Sequence, residues 1–252
     1  MPSCTEKKER INENLTLISR GTGLTFGTDA YLLSAYLRAK PRGRAVELGS
    51  GTGVIALLCA CRNTFSTLHA VEIQADYCDL IGRNAEENGF LARVIPLCAD
   101  IRNLQVSDIG GEADAVFSNP PYMRQNAGAD NMHTEKTIAR HEVHGTIADF
   151  CQAAARILKF GGTFTVVFRP DRMAELLCAM KACDLTPKRL TMVSATREHI
   201  PSLLLCEAKK GAADGMFVTK PLILKEDENG KDTDDCRFIY ENGVFPRSYF
   251  QP

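Results

Sequence analysis

A chain of 252 residues, 44% apolar and 24% charged, is long enough for one domain with a well-buried core and has an ordinary globular composition. Its net charge of −1 excludes attraction to polyanions by overall charge, so nucleic-acid contacts would have to rest on local basic patches. No apolar run reaches bilayer length, and the charged start, Met1 to Arg20, is not a signal peptide.

Ten cysteines form no CxxC, and Cys59, Cys61, Cys98, Cys151 and Cys206 lie in apolar runs where Cys packs as a small hydrophobe. This reads as reduced thiols of a cytoplasmic chain, with no disulfide framework and no zinc site.

In chain order, residues 1–20 read as a charged lead-in with a short strand at Leu15–Ile18. Phe26-Gly-Thr-Asp-Ala30 opens a helix, with Thr28 as N-cap and Tyr31, Leu32, Ala35 and Tyr36 on its apolar face. Arg38 to Arg44 carries four cations and no acid, the pattern of a solvated loop. Arg44–Leu48 is a strand, followed by Gly49-Ser50-Gly51-Thr52-Gly53 and a helix from Val54 to Cys61.

Strand, glycine turn and helix start make a cofactor-binding arrangement, since glycines admit close backbone approach and the helix start offers free N–H groups. A dinucleotide fingerprint wants a third glycine at position 54, where Val54 stands. The pattern G-x-G-x-G behind an acidic strand residue, Glu47, fits a cofactor without a pyrophosphate whose ammonium needs an anionic or carbonyl partner.

A second strand, Thr67–Ile73, ends at Glu72, placed to accept hydrogen bonds from ribose hydroxyls. A helix from Ala75 to Asn88 stops at Gly89. A third strand, Arg93–Cys98, leads to Asp100 and Ile101, an acceptor for an adenine amino group and a surface for its ring. The fourth, Asp114–Ser118, delivers Asn119-Pro120-Pro121-Tyr122. Two prolines cannot continue a sheet ladder, so the chain leaves the sheet here as a stiff turn carrying an amide, a carbonyl and an aromatic ring.

Residues 123–145 are polar and read as a long functional loop. Thr146 caps a helix through Leu158, Gly161-Gly162 turns into a fifth strand, Thr163–Phe168, and Pro170 opens a helix to Cys183. Leu190–Ser194 and Ser202–Ala208 close the sheet. The acid-rich run from Glu226 to Asp235 looks like a tail or loop. There is no internal repeat, and one domain is expected: a lead-in at 1–43, a core at 44–210 and an extension at 211–252.

The segments Glu47-Leu-Gly-Ser-Gly-Thr-Gly53, Val71-Glu72, Ala99-Asp100-Ile101 and Asn119-Pro-Pro-Tyr122 resemble class I S-adenosylmethionine-dependent methyltransferases in order and spacing. The resemblance implies an α/β, Rossmann-like fold: a seven-stranded, mostly parallel sheet with an antiparallel strand near the C-terminal edge and helices on both faces. It also implies S-adenosyl-L-methionine as cofactor, held by Phe26, Asp29, Glu47, Gly49, Ser50, Gly51, Gly53, Glu72, Ile73, Asp100, Ile101 and Asn119. Asn-Pro-Pro-Tyr resembles the branch that methylates planar nitrogens. Phe26–Ala30 and Leu204-Leu-Cys-Glu-Ala-Lys-Lys-Gly211 are further similar to the tRNA1(Val) adenine-37 N6-methyltransferase family.

The chemistry is consistent with that implication. An adenine amine is a poor nucleophile because its lone pair is delocalised into the ring. Hydrogen-bond acceptors on both of its N–H groups, Asn119 Oδ1 and the Pro120 carbonyl, disfavour the delocalisation, and Pro121 helps to fix them. Tyr122 can stack on the extracted base. A sulfonium leaves as a neutral thioether, so neither a prior general base nor a metal is needed.

Arg124, Arg140, Lys188, Arg189, Arg197, Lys209 and Lys210 are expected to meet RNA phosphates. Two alternatives stay open, an rRNA or DNA amino-methyltransferase and a protein glutamine N5-methyltransferase. A long helical N-terminal domain, usual in the glutamine family, would not fit in the 45 or so residues that precede the glycine loop.

Overall fold

The computed structural model describes residues 6–20, 27–120, 145–227 and 230–250. An antiparallel hairpin, β1 (Glu6–Asn12) and β2 (Leu15–Arg20), precedes the main sheet. The chain then continues as α1 (Thr28–Tyr36), β3 (Lys40–Leu48), α2 (Val54–Cys61), β4 (Phe65–Glu72), α3 (Ala75–Glu87), β5 (Val94–Cys98) and β6 (Ala113–Ser118). After residue 144 come α4 (Ile147–Ile157), β7 (Leu158–Phe168), α5 (Met173–Ala182), β8 (Leu185–Ser194) and β9 (Leu203–Lys210). Two-residue strands β10 (Phe217–Val218) and β11 (Leu222–Ile223) lead to α6 (Asp234–Asn242).

The described sheet has nine strands in the order β10-β8-β9-β7-β6-β3-β4-β5, with β11 also on β8. Seven of them form the expected core, and β10 and β11 are short additions along the β8 edge. All neighbours are parallel except β9, which runs antiparallel to both β7 and β8. Helices cover both faces. Leu32, Leu33, Leu57, Leu58 and Ile81 are packed on one side, and Phe150, Ala154, Ile157, Leu176 and Met180 on the other. The central strands therefore read as near-continuous apolar runs, as a sheet covered twice requires.

The chain passes outward from β3 through β4 to β5, then crosses back to β6 on the other side of β3. In open parallel sheets such a reversal leaves a crevice at the carboxyl ends of the strands, and this positions the site.

Several element boundaries differ from the sequence reading. The basic stretch at 40–43 belongs to β3, with an irregularity in its pairing between Lys40 and Arg44. Lys40 Nζ donates to the Asp114 carbonyl and Lys159 pairs with the Asp114 carboxylate, so part of this cationic run is held at the sheet edge. Gly161 and Gly162 lie within β7 rather than in a turn. The N-cap of α1 is Gly27, not Thr28.

Thr146 caps α4 as expected, through a reciprocal pair with Asp149. The acid-rich run is folded where it is described: Lys225 bridges to Asp232, and the Thr233 side chain caps α6 by accepting from Cys236 N. Among the described residues no helix is long and apolar enough to cross a membrane.

Candidate active site

The glycine loop leaves β3 through three glycines with positive φ, Gly49 at 70°, Gly51 at 54° and Gly53 at 78°. An L side chain at such angles is strained, and at Gly53 an added Cβ would also meet both Ile81 γ-carbons at 3.1 Å. The loop is fastened on three sides. Gly49 N and Ser50 N both donate to the Val71 carbonyl, at 2.9 and 3.0 Å. Ser118 Oγ donates to the Leu48 carbonyl at 2.7 Å, linking the end of β6 to the start of the loop. From α3, the buried Asn84 donates to the carbonyls of Thr52 and Ile18, both at 3.1 Å, and accepts from Ile18 N.

Asn84, Ser118 and Gln74 escaped the sequence reading. The signal for Asn84 was present, since it lies on the buried stripe of α3 with Leu80, Ile81 and Ala85, where a polar residue needs partners.

Glu72 ends β4 and is 5% exposed. Its Oε2 accepts from Gly51 N at 2.9 Å and its Oε1 from Gln74 N at 3.0 Å. A carboxylate so held is fixed in orientation and keeps lone pairs for further donors. Glu47 is placed differently from the cation-facing role read from sequence. It is 1% exposed, and its Oε2 accepts from Ala56 N at 2.9 Å, an otherwise unpaired N–H in the first turn of α2. Burial pushes its carboxyl well above the usual carboxylate range, against the opposing pull of the Ala56 N–H, and the nearby Glu72 adds to the rise.

Asp100 stands beyond β5 and is chelated by Arg102, whose Nε and Nη2 both contact the carboxylate. These hydrogen bonds hold Asp100 below the ordinary aspartate range. Ile101 is buried beside it, at the edge of the core under α4. Ile73 lies between Glu72 and Gln74, with Cys98 Sγ 4.0 Å from its carbonyl.

Asn119 and the buried Pro120 follow β6 directly. Asn119 Nδ2 donates to Asp29 Oδ2 at 2.9 Å, while Ala30 N donates to Asp29 Oδ1 at the same distance. Strands β3 and β6 are in register at Glu47 and Phe117, so the glycine loop and Asn119 emerge side by side at the crevice. Of the expected site residues, Phe26, Pro121, Tyr122, Arg124 and Arg140 lie outside the described residues.

The expected basic cluster does not hold together. Arg189 is internal, 1% exposed, and bonded to Glu207, which corrects its reading as a phosphate contact. Lys188 and Lys210 donate to main-chain carbonyls, Lys188 to Ala213 and Lys210 to Ala155 and Leu158 at the end of α4. Lys188, Lys209 and Lys210 all sit toward the opposite edge of the sheet from Asn119, since Lys209 and Lys210 pair in register with Thr186 and Leu185 at the start of β8 and Lys188 reaches the Ala213 carbonyl beyond the end of β9. A shallow cleft of about 470 Å³ lined by Lys40, Pro41, Arg42, Gly43 and Asp114 opens at that far edge too.

Arg197 alone of the described set stands at the site edge, in the exposed β8–β9 turn. Ser118, Val166, Cys206 and Leu190 share one level across the sheet. Strand β8 continues four residues beyond that level, to Ser194, so the turn stands roughly 13 Å above the end of β6.

A family model described as methyltransferase small domain matches residues 23–182, well over half of the chain. The chain belongs to this methyltransferase family. Curated relatives named tRNA1(Val) (adenine(37)-N6)-methyltransferase are similar to it. The one from Dyadobacter fermentans is 28% identical and the match covers 84% of this chain and 85% of the relative. The one from Porphyromonas gingivalis is 27% identical over 74% and 75%. Among solved structures, a predicted O-methyltransferase from Agrobacterium tumefaciens superposes with a TM-score of 0.68 at 22% identity, covering 87% of this chain and 98% of that one. A tRNA m1G37 methyltransferase from M. jannaschii gives 0.55 at 17%, covering 84% and 58%.

The protein is an S-adenosylmethionine-dependent methyltransferase. Its carboxyl edge fits that cofactor by chemistry. The methyltransferase has an open glycine loop at a helix start, a fixed carboxylate at Glu72 for a diol, and an acceptor with an apolar neighbour at Asp100 and Ile101. Among its described residues, no group of three or more His, Cys, Asp or Glu side chains is placed to hold a metal ion.

Proposed function

We propose that this methyltransferase modifies the exocyclic N6 amine of an adenine in tRNA, and specifically adenine 37 of valine tRNA. The observation that carries the reading is the Ser118–Leu48 hydrogen bond, which places Asn119 and Pro120 beside the glycine loop. The names and coverage of the curated relatives support the choice of tRNA and of position 37.

In this reading Glu72 accepts from the ribose hydroxyls of the cofactor, with Ile73, Asp100 and Ile101 around its adenine and Gly49, Ser50, Gly51 and Gly53 along its amino-acid portion. Glu47 acts from below by holding the first turn of α2. When bound, S-adenosylmethionine supplies an electrophilic methyl group on a sulfonium. The chain supplies geometry: Asn119 Oδ1 and the Pro120 carbonyl accept hydrogen bonds from the two amine N–H groups and turn the nitrogen lone pair toward the methyl group. The methylated nitrogen then loses one proton to solvent. Tyr122 stacks on the extracted base, a contact worth about 1–3 kcal/mol.

The test is incubation with labelled methyl donor and total tRNA, total rRNA or release factor, followed by digestion. Labelled N6-methyladenosine from valine tRNA is the expected product. Label in rRNA or protein, with none in tRNA, would overturn the reading.

A further inference from the structure

We infer that Asp29 is a positioning residue for the methyl transfer, setting which way round the Asn119 amide faces. The inference rests on the planar-amine reading above, and replaces the cofactor contact expected of Asp29 from sequence with a contact to Asn119.

An asparagine amide has an acceptor and a donor of nearly equal size, and packing alone does not choose between its two orientations. Asn119 must present oxygen to an incoming amine, because nitrogen there would set donor against donor. Asp29 makes that choice. An ionised carboxylate only accepts, so the atom of Asn119 that faces Asp29 Oδ2 at 2.9 Å is Nδ2, and Oδ1 points the other way. The reversed amide would put Asn119 Oδ1 against a carboxylate oxygen, a repulsive pairing.

Asp29 is itself held. Its Oδ1 accepts from Ala30 N at 2.9 Å in the first turn of α1, so both oxygens are engaged and the side chain has little freedom to follow Asn119 elsewhere. Gly27 makes room for this arrangement. A Cβ built on Gly27 would stand 2.3 Å from Asp29 Oδ1, so a side chain there would force the carboxylate out of its position. Gly27 has φ −99° and ψ 158°, an ordinary extended conformation, so the need for glycine here is one of space and not of backbone angle. Phe26-Gly-Thr-Asp-Ala30, which sequence reading treats as a helix start, thus contains a built support for an amide ninety residues away.

The acceptor orientation can be tested with three variants, Asp29→Ala, Asp29→Asn and Gly27→Ala, in the full-length protein. Asp29→Ala removes the anchor. Asp29→Asn replaces one of the two acceptors by an NH2 group, which drives Asn119 toward the reversed orientation. Gly27→Ala leaves the carboxylate intact but displaced.

Kinetics with the acceptor nucleic acid should show kcat falling about 10- to 100-fold in each, with cofactor Kd by calorimetry within twofold of wild type. A cofactor contact would instead raise Kd, and a purely structural role would lower Tm without lowering kcat of the folded fraction. Side-chain amide NMR gives a reading that needs no substrate. In ¹⁵N-labelled protein the Asn119 NH2 signal, assigned by its loss in Asn119→Ala, should exchange slowly with solvent and become fast-exchanging in Asp29→Ala. Full kcat in any of the three variants, or an Asn119 signal indifferent to Asp29→Ala, overturns the inference. Failure of the tRNA reading appears separately, as absence of labelled tRNA with the wild-type enzyme while the NMR contact persists.

Discussion

Arg189 Nη2 donates to Glu207 Oε2 at 3.1 Å while its guanidinium stacks between two rings, 3.6 Å from the Tyr36 centroid and 4.2 Å from that of Phe250. It also donates to the carbonyls of Tyr36 and Tyr249, and Arg38 donates to the other oxygen of Glu207. Strands β8 and β9, helix α1 and the segment after α6 meet at this one guanidinium.

Breaking a buried pair leaves one charge without its partner. Arg189→Met should therefore destabilise the protein by about 3–5 kcal/mol in urea unfolding. The double variant Arg189→Met with Glu207→Leu should recover most of the loss, because a buried ion pair replaced whole by apolar groups is close to neutral. An Arg189→Met protein of unchanged stability but weakened RNA binding would restore the phosphate-contact reading.

Glu47 should make stability depend on pH. Its folded-state pKa lies above the unfolded value of about 4.3, so the folded state binds the extra proton. That contribution is complete below the unfolded pKa and is lost as pH rises through the folded one. Glu47→Gln keeps an acceptor for Ala56 N and removes the titration. Its Tm should exceed that of wild type at pH 8 and match it near pH 4. Parallel pH profiles for the two proteins would count against the assignment.

Glu72 holds the glycine loop and, in the proposed reading, the ribose. In Glu72→Gln an NH2 group must face either Gly51 N or Gln74 N, donor against donor. Hydrogen bonds to charged groups contribute about 1.5–3 kcal/mol, so affinity for S-adenosylhomocysteine should fall roughly 10- to 100-fold by calorimetry. Affinity unchanged within threefold would remove Glu72 from the cofactor site.

The two edges of the sheet should respond differently to charge reversal. Arg197→Glu, on the raised β8–β9 turn, should weaken tRNA binding and lower the slope of log K against log salt by about 1. Lys209→Glu, at the opposite edge, should leave both unchanged. Filter binding at several salt concentrations separates them. A reversed order of effects would place the RNA on the far edge.

The order of strands and helices was legible because periodicity and glycine turns are local signals. The positions of the glycine loop, Glu72 and Asn119 were legible because each ends or directly follows a strand that its apolar run marks. What could not be read was set by neighbours distant in the chain. Arg189 carries the same charge as Lys209 in sequence, and only the positions of Tyr36, Phe250 and Glu207 make it internal. Lys188 near the start of β8 and Lys209 near the end of β9 share the far edge because β9 runs antiparallel to β8, which leaves Arg197 in the turn between them at the other edge and splits a cluster that looks continuous along the chain. The link from Asp29 to Asn119 spans ninety residues and has no local trace.

The support of α1 reaches further than Asp29. Tyr31 Oη donates to the Tyr240 carbonyl of α6 at 2.9 Å, and Phe245 N donates to the Ala35 carbonyl. The helix that carries Asp29 therefore rests on residues made much later in synthesis. On the proposed role of Asp29, a change in α6 or in the segment after it would reach the Asn119 amide through α1, far along the chain from both residues.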